Sequence, residues 1–382
     1  MDAVLTNMRI GLARLCVPVL LCMLLAPAVS AEPARVMPKA MQSLLLDITD
    51  VGARLVAVGD RGHVLYQDSP EDEWQQAPVP VRQMLTSLCF SGPDRGWAVG
   101  YDAVVVATVD GGRSWHDQYL GLTYQFAFNQ QLLTDLISKK NTLTASLAVA
   151  DTDVEVNDLR NQLEDLALDI GDAQDALAEP VHTPPLFDVY CQDSLNAYAV
   201  GAFGIFVYTQ DGGVNWHRDD RRIPNPGQYH LNAITGDAGN LLWIVGEGGL
   251  MFHSDDKGLN WQQLESPYEG SLFGIQYHIG RSMLLVYGLQ GNAFVSADGG
   301  VSWIKSQTEG NRSFAGGVWF NADYVMLVGG VGNVQLSRNG GLNFDTVPFP
   351  GRANLSAVAV RNGRATAVGL GGIYRVEELV QP

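Results

Sequence analysis

Basic residues are scarce in this 382-residue chain: 24 Lys and Arg stand against 41 Asp and Glu, a formal net charge of −17. A surface that acidic repels phosphate backbones and anionic lipid heads, which argues against nucleic acid as a partner. Histidines number only seven and fall at no metal-ligand spacing; His116 and His217 each follow a Trp in a repeated phrase, a strand position. No Gly-x-Ser-x-Gly elbow and no phosphate-binding Gly-Lys-Ser/Thr loop occurs. The expectation is therefore a protein without metal or cofactor.

Long apolar runs are missing too. Leu15 to Leu25 falls short of the ~20 residues a membrane span needs. Arg9 and Arg14 precede it and small residues follow at Ala28, Ser30 and Ala31, the pattern of a cleaved signal peptide over residues 1–31. Cys16 and Cys22 each follow a leucine where lipoprotein processing requires a small residue, so no lipid anchor is predicted. The mature protein is expected to be periplasmic and soluble. Cleavage removes Asp2, Arg9 and Arg14 and takes the net charge from −17 to −18. Of the four cysteines only Cys89 and Cys191 stay, and the preferred reading is two buried thiols, with a disulfide in an oxidising compartment as the alternative.

What the chain has in abundance is one phrase repeated. A strand ends in glycine, a glycine-rich turn and a second strand follow, and the copy closes on Asp-x-Gly-x-x-Trp. The closing boxes are TVDGGRSW (Thr108 to Trp115), TQDGGVNW (Thr209 to Trp216), SDDKGLNW (Ser254 to Trp261), SADGGVSW (Ser296 to Trp303) and SRNGGLNF (Ser337 to Phe344), with a worn copy ending at Trp74. The strand-ending glycines are Gly59, Gly100, Gly201, Gly246, Gly288, Gly329 and Gly369, at gaps of 41, 101, 45, 42, 41 and 40 residues. Short alternating runs bounded by Gly, Asp and Asn are half-buried strands, and four fit each period of about 42, as in a propeller blade. The prediction is an all-β, seven-bladed β-propeller over residues 32–382, carrying an inserted α-helical hairpin in residues 119–185.

The boxes explain themselves physically. Asp accepts hydrogen bonds from nearby backbone N–H groups, and Gly supplies the positive φ of a tight hairpin between strands three and four. Asp110, Asp211, Asp256 and Asp298 are accordingly read as structural, with Trp115, Trp216, Trp261 and Trp303 packing between blades. Calcium binding or catalysis by these acids is the rival reading. The seventh copy stops after its third strand, and Ala34 to Lys39 are expected to complete that blade.

These boxes resemble those of the Asp-box, or BNR-repeat, propellers of sialidases, sortilin-like receptors and the photosystem II stability/assembly factor proteins. The likeness to the last covers Gln42 to Val380 apart from the insertion. It implies an assembly or accessory factor for a membrane protein complex. Among bacterial homologues it implies a transporter of the resistance-nodulation-division superfamily as partner. Sialidase-like hydrolysis or glycan binding is the alternative, yet Arg222-Ile223-Pro224, which mimics a sialidase motif, follows the second intact box instead of lying in the first blade.

Chain geometry puts all Asp boxes on one face and the blade-to-blade connections on the other. That second face receives Arg61, Arg82, Arg312 and Arg352, read as a basic crescent for partner binding over blades six, seven, one and two. The resemblance implies a comparable arginine patch; surface arginines paired with local carboxylates are the plainer reading. The insertion rises from the same face. Leu159, Leu163, Leu166, Ile170, Ala173 and Leu177, and likewise Leu132, Leu136, Leu143 and Leu147, keep a helical seam, broken near Asp151 to Asp153 and ended by Pro180, Pro184 and Pro185. From Asp151 to Glu179 ten acids face one base, Arg160. The hairpin is read as a docking arm, with Leu136, Leu143, Leu163 and Ile170 among its partner-binding residues.

Overall fold

The structure, a computed structural model, describes residues 32–178 and 182–376. The signal-peptide expectation over residues 1–31 lies outside the described residues. Six four-stranded antiparallel sheets and one three-stranded sheet follow one another in chain order. The inner strand of each blade touches those of its two neighbours, and that of blade seven touches that of blade one, so the ring closes. The blades begin with Leu45–Asp50, Leu85–Phe90, Leu186–Cys191, Leu231–Gly236, Leu272–His278, Phe314–Trp319 and Leu355–Arg361.

Second strands such as Leu55–Gly59, Gly96–Gly100, Ala197–Gly201, Leu242–Gly246 and Val325–Gly329 are buried at every residue. Each is covered by a neighbouring blade on both faces, so these strands read as apolar throughout. Their closing glycines answer to a close approach. A β-bulge follows the first residue of every inner strand, and a Cβ on the paired glycine would lie 2.0–2.3 Å from the carbonyl oxygen leading that strand. Any side chain there would push the inner strand off its partner.

Two expectations need correction. Ala34 to Lys39 do not complete blade seven, which has three strands among the described residues, Leu355–Arg361, Arg364–Gly369 and Gly372–Arg375. Ala34 instead donates to Val79 O at 2.9 Å, Met37 N donates to Gln76 Oε1 at 2.9 Å, and Gln76 Nε2 donates to Arg35 O at 2.8 Å. Blade one's outer end offers these unpaired groups and an apolar cluster containing Val79 and Val81, against which Ala34 packs. Cys89 and Cys191 are not thiols. They form a disulfide between the inner strands of blades two and three.

The insertion is a helical hairpin: α1 spans Gly121–Leu147 and α2 Asp153–Ala178. Thr152 Oγ1 accepts from Glu155 N at 3.2 Å, the cap expected near Asp151 to Asp153. Leu166 and Ala173 are buried between the helices, and Leu133, Leu136, Leu143, Leu147, Leu159, Leu163, Ile170 and Leu177 are half-buried. Two consequences follow for the expected sites. Leu132 leaves the seam to Leu133 and is exposed, because 133, 136, 140, 143 and 147 hold the 3.5-residue period and Lys140 interrupts its apolar run. Leu136, Leu143, Leu163 and Ile170 serve the hairpin's own seam, and the exposed apolar side chains of the helices include Leu132, Ile137, Val154 and Leu168 instead.

Candidate partner-binding face

Each Asp box closes on itself. Asp110 Oδ1 accepts from Ser114 N at 2.9 Å and from Thr108 Oγ1 at 2.8 Å, Asp110 Oδ2 accepts from Ser114 Oγ at 2.6 Å, and Thr108 Oγ1 takes Gly112 N at 2.9 Å. The same set recurs around Asp211, Asp256 and Asp298, and Asn339 keeps the bonds to a single oxygen with its amide Oδ1. The bonds from Ser302 and Ser296 hold Asp298 down to about 2. At Asp110 partial burial opposes the charge, but the Ser114 and Thr108 bonds outweigh it and its pKa also falls. The tryptophans lie between blades: Trp115 packs in a cluster with Val56, Val58 and Val64 of blade one, and Trp261 meets Phe206 of blade three edge-on at 5.9 Å. Carboxylates so fully engaged have little left for a metal or a substrate. Arg222 is likewise occupied, bonded to Asp219 and to the Tyr208 hydroxyl and stacked over the Tyr208 ring at 4.3 Å.

The opposite face is built from the turns after the second strands. In every blade the first turn residue donates its N–H to the carbonyl that leads the inner strand, for example Asp60 N to Leu44 O at 2.9 Å and Leu370 N to Asn354 O at 2.9 Å. Turns and blade-to-blade connections therefore share one face. At the tip of these turns Arg61, Asp102, Phe203, Gln290 and Val331 have φ of 55–57°, in the left-handed region. Blade four fills the same place with Gly248, φ 61°.

The four arginines come together as two pairs. A Cβ on Gly62 would stand 3.0 Å from Arg82 Cα, so the Arg61 turn abuts Arg82. Arg312 Nη1 donates to Val331 O at 3.3 Å, and Gly332 N of that turn donates to Ala353 O at 2.7 Å, beside Arg352. Between the pairs lies the blade-seven turn, where Gly372 meets Met41 and Leu370 is exposed. Arg61 pairs with Asp60 at 3.3 Å and Arg82 pairs with Glu32, while Arg352 is exposed with no ion-pair partner among the described residues. The sequence placed all four on this face but did not separate the pairs.

Two features escaped the sequence reading. The residue after each bulge lies at the channel wall, and in ring order these are Asp47, Ser87, Asp188, Ala233, Gly274, Gly316 and Ala357. They border a cavity of about 380 Å³, also lined by Asn232, Gln276 and Tyr287. Burial, then the charge of Asp188, pushes Asp47 up to about 7, and burial raises Asp188 as well. An Asp or Ser at the third place of three consecutive inner strands, LLDITD, LTSLCF and LFDVYC, was the available signal. The second feature is aromatic. The His230 ring stands edge-on to Phe187 at 5.8 Å and to Phe203 at 5.0 Å, and its Nδ1 accepts Phe203 N at 3.0 Å.

The hairpin is tied to the same face. A Cβ on Gly121, the first residue of α1, would lie 2.3 Å from Asp102 O of the blade-two turn. Arg218 of blade three donates to Gln125 and stacks on Phe128, Gln125 donates to Asn129 at 2.8 Å, and Asn129 Nδ2 donates to Ala176 O at 3.2 Å.

A ring of repeated blades whose box acids are spent on turns, and whose other face displays arginines, aromatics and a projecting hairpin, is a propeller of the BNR class. The chain belongs to the family of the photosynthesis system II assembly factor YCF48, whose model matches residues 67–135 and 175–341. The unmatched stretch between them is the outer part of the hairpin. The photosystem II assembly lipoprotein Ycf48 of Synechococcus sp. (strain CC9902) is 32% identical over 125 residues, 32% of this chain and 37% of that relative. The chain thus matches little more than a third of that relative's length. The solved structure of YCF48 bound to D1 peptide aligns with 91% of this chain and 99% of its own at a TM-score of 0.58 and 14% identity. YCF48 from Cyanidioschyzon merolae covers 98% of its own chain at the same TM-score and identity. The GH74 enzyme of Niastella koreensis covers 89% of this chain and 53% of its own, TM-score 0.58, at 11% identity. At such identities these structures bear on the fold alone.

Proposed function

We propose that this chain is an exported, non-enzymatic assembly or accessory factor that holds an extended segment of a membrane protein complex against its loop face. The observation that carries the reading is the clustering of two arginine pairs on the loop face, in a chain with few basic residues, opposite boxes whose acids are consumed in turns. The D1 peptide on a family relative supports a peptide segment as the thing held. The Cys89–Cys191 disulfide supports an oxidising compartment, taken here as the periplasm. A transporter of the resistance-nodulation-division superfamily is the partner inferred from the bacterial members of the resemblance. The hairpin, rooted beside the arginine-bearing face, acts as a second contact.

The test is isolation of the protein from gently solubilised envelopes in three forms. These are wild type, a variant with Arg61, Arg82, Arg312 and Arg352 changed to Ala, and a deletion of Gln125 to Asp175. The same membrane complex should accompany the wild-type protein and be lost from the arginine variant. Recovery of one complex at equal yield with all three forms would sink the reading.

A further inference from the structure

We propose that Phe187, Phe203 and His230 form an aromatic subsite at the channel mouth that takes an apolar side chain of an extended peptide whose acidic groups lie on the arginine pairs. The inference rests on the reading of this face as the client-binding one and adds what the face selects.

Phe203 carries the argument. It sits at a turn tip with φ 55° and ψ 28°, a conformation that costs an L-residue energy and suits glycine. Blade four makes the same turn with Gly248, so the turn itself does not need a side chain. Phe203 is nonetheless retained there, 59% exposed, where burial returns little. Arg61, Asp102, Gln290 and Val331 hold the same conformation at other tips, so what sets blade three apart is the exposed aromatic ring placed there, which points to a ligand-facing duty.

The surroundings hold that ring in place. Tip N–H groups in other blades are capped by the lead residue of the next blade: Gln290 N by Ser313 Oγ at 3.1 Å and Val331 N by Asn354 Oδ1 at 3.0 Å. Blade three uses His230 for the same bond, and the imidazole adds a flat wall that Ser or Asn lacks. Phe187, also edge-on to that imidazole, lines the 380 Å³ channel cavity together with Phe273 of blade five. Tyr229, next to His230, is exposed. An apolar side chain entering here meets ring faces at the cavity rim, with the guanidinium groups on the remaining blades left for carboxylates. The occupant is therefore an extended peptide with an apolar anchor and acidic flanks, not a glycan or a lipid surface.

An array of immobilised random 12-residue peptides, probed with tagged protein, tests this. Wild type should enrich peptides holding Phe, Leu or Ile near Asp or Glu. Phe203→Gly should keep the melting temperature, since the tip suits glycine, yet bind the enriched peptides about tenfold more weakly and lose apolar selection. Phe203→Leu should restore most of that selection, which a purely structural role would not predict. Enrichment unchanged in Phe203→Gly overturns the subsite while leaving the arginine face standing. Absence of any enrichment by wild type overturns the reading of the face itself.

Discussion

Cys89, on the inner strand of blade two, is disulfide-bonded to Cys191 on the inner strand of blade three, with 5.6 Å between their Cα atoms. The bond spans 102 residues and encloses the whole insertion. It fixes the one blade junction that the chain itself joins by a long detour. Cross-linking a loop of that length restricts the unfolded chain, worth about 4.7 kcal/mol in the chain-entropy model. A Cys89→Ser, Cys191→Ser variant should lose roughly that much in reversible urea unfolding. Reductant should lower the wild-type midpoint to match and leave the variant unmoved.

Ser87 places one hydroxyl 3.1 Å from Asp47 Oδ2 and 2.7 Å from Asp188 Oδ1. A hydroxyl has a single proton to donate, so both contacts are satisfied only if one carboxyl is itself protonated. Asp47, pushed up to about 7, is that group. An unfolded Asp loses its proton near pH 3.9. Between that pH and about 7 the folded protein keeps a proton the unfolded chain has released, so stability falls as pH rises through the window. The slope is about 1.4 kcal/mol per pH unit at most, because the pair borders an open cavity. Asp188, also raised, acts in the same direction. Asp298 acts oppositely, since its stabilisation is present above the ordinary Asp range and lost as pH falls towards about 2. Urea midpoints should therefore be higher at pH 5 than at pH 8. Asp47→Asn, neutral at both, should flatten the difference; an equal slope in that variant would assign it elsewhere.

The ring was legible because its determinants are local and repeated. Each box carries its own donors and acceptors within eight residues, and each strand-ending glycine answers to a bulge in its own blade. Long-range pairings were not legible. Ala34 reaches Val79 and not blade seven because an apolar cluster and free backbone groups lie there, which no periodicity encodes. Cys89 and Cys191 look like any buried cysteines until two blades are set side by side. The face could be assigned by counting turns, but the Phe203–His230 bond depends on which lead residue each blade offers its neighbour.

The Asn339 box makes a prediction about the acids. Its amide oxygen takes Ser337 Oγ at 3.0 Å and Asn343 N at 2.9 Å without a negative charge. Asp110→Asn should then melt close to wild type. Asp110→Ala strands the Ser114 N–H and hydroxyl and the Thr108 hydroxyl, and should cost about 1–2 kcal/mol. Peptide enrichment, which belongs to the other face, should be unchanged in both variants. A loss of binding in Asp110→Asn at full stability would restore a functional role to the box.

The hairpin can be broken without touching the ring. Leu166, 2% exposed, is packed between α1 and α2, whose contacts are mainly with each other. Leu166→Asp buries a charge in that seam, which drives the helices apart rather than accept it. Circular dichroism should show lost helix, and protease should cut within residues 121–178. The cooperative melt of the blades should stay where it was, because the bond from Arg218 of blade three to Gln125 contributes little to blade packing. Loss of the membrane partner from this stably folded variant would make the hairpin's shape, and not merely its presence, part of recognition. Undiminished partner recovery with the helix signal gone would reduce the hairpin to a solvated ornament on the loop face.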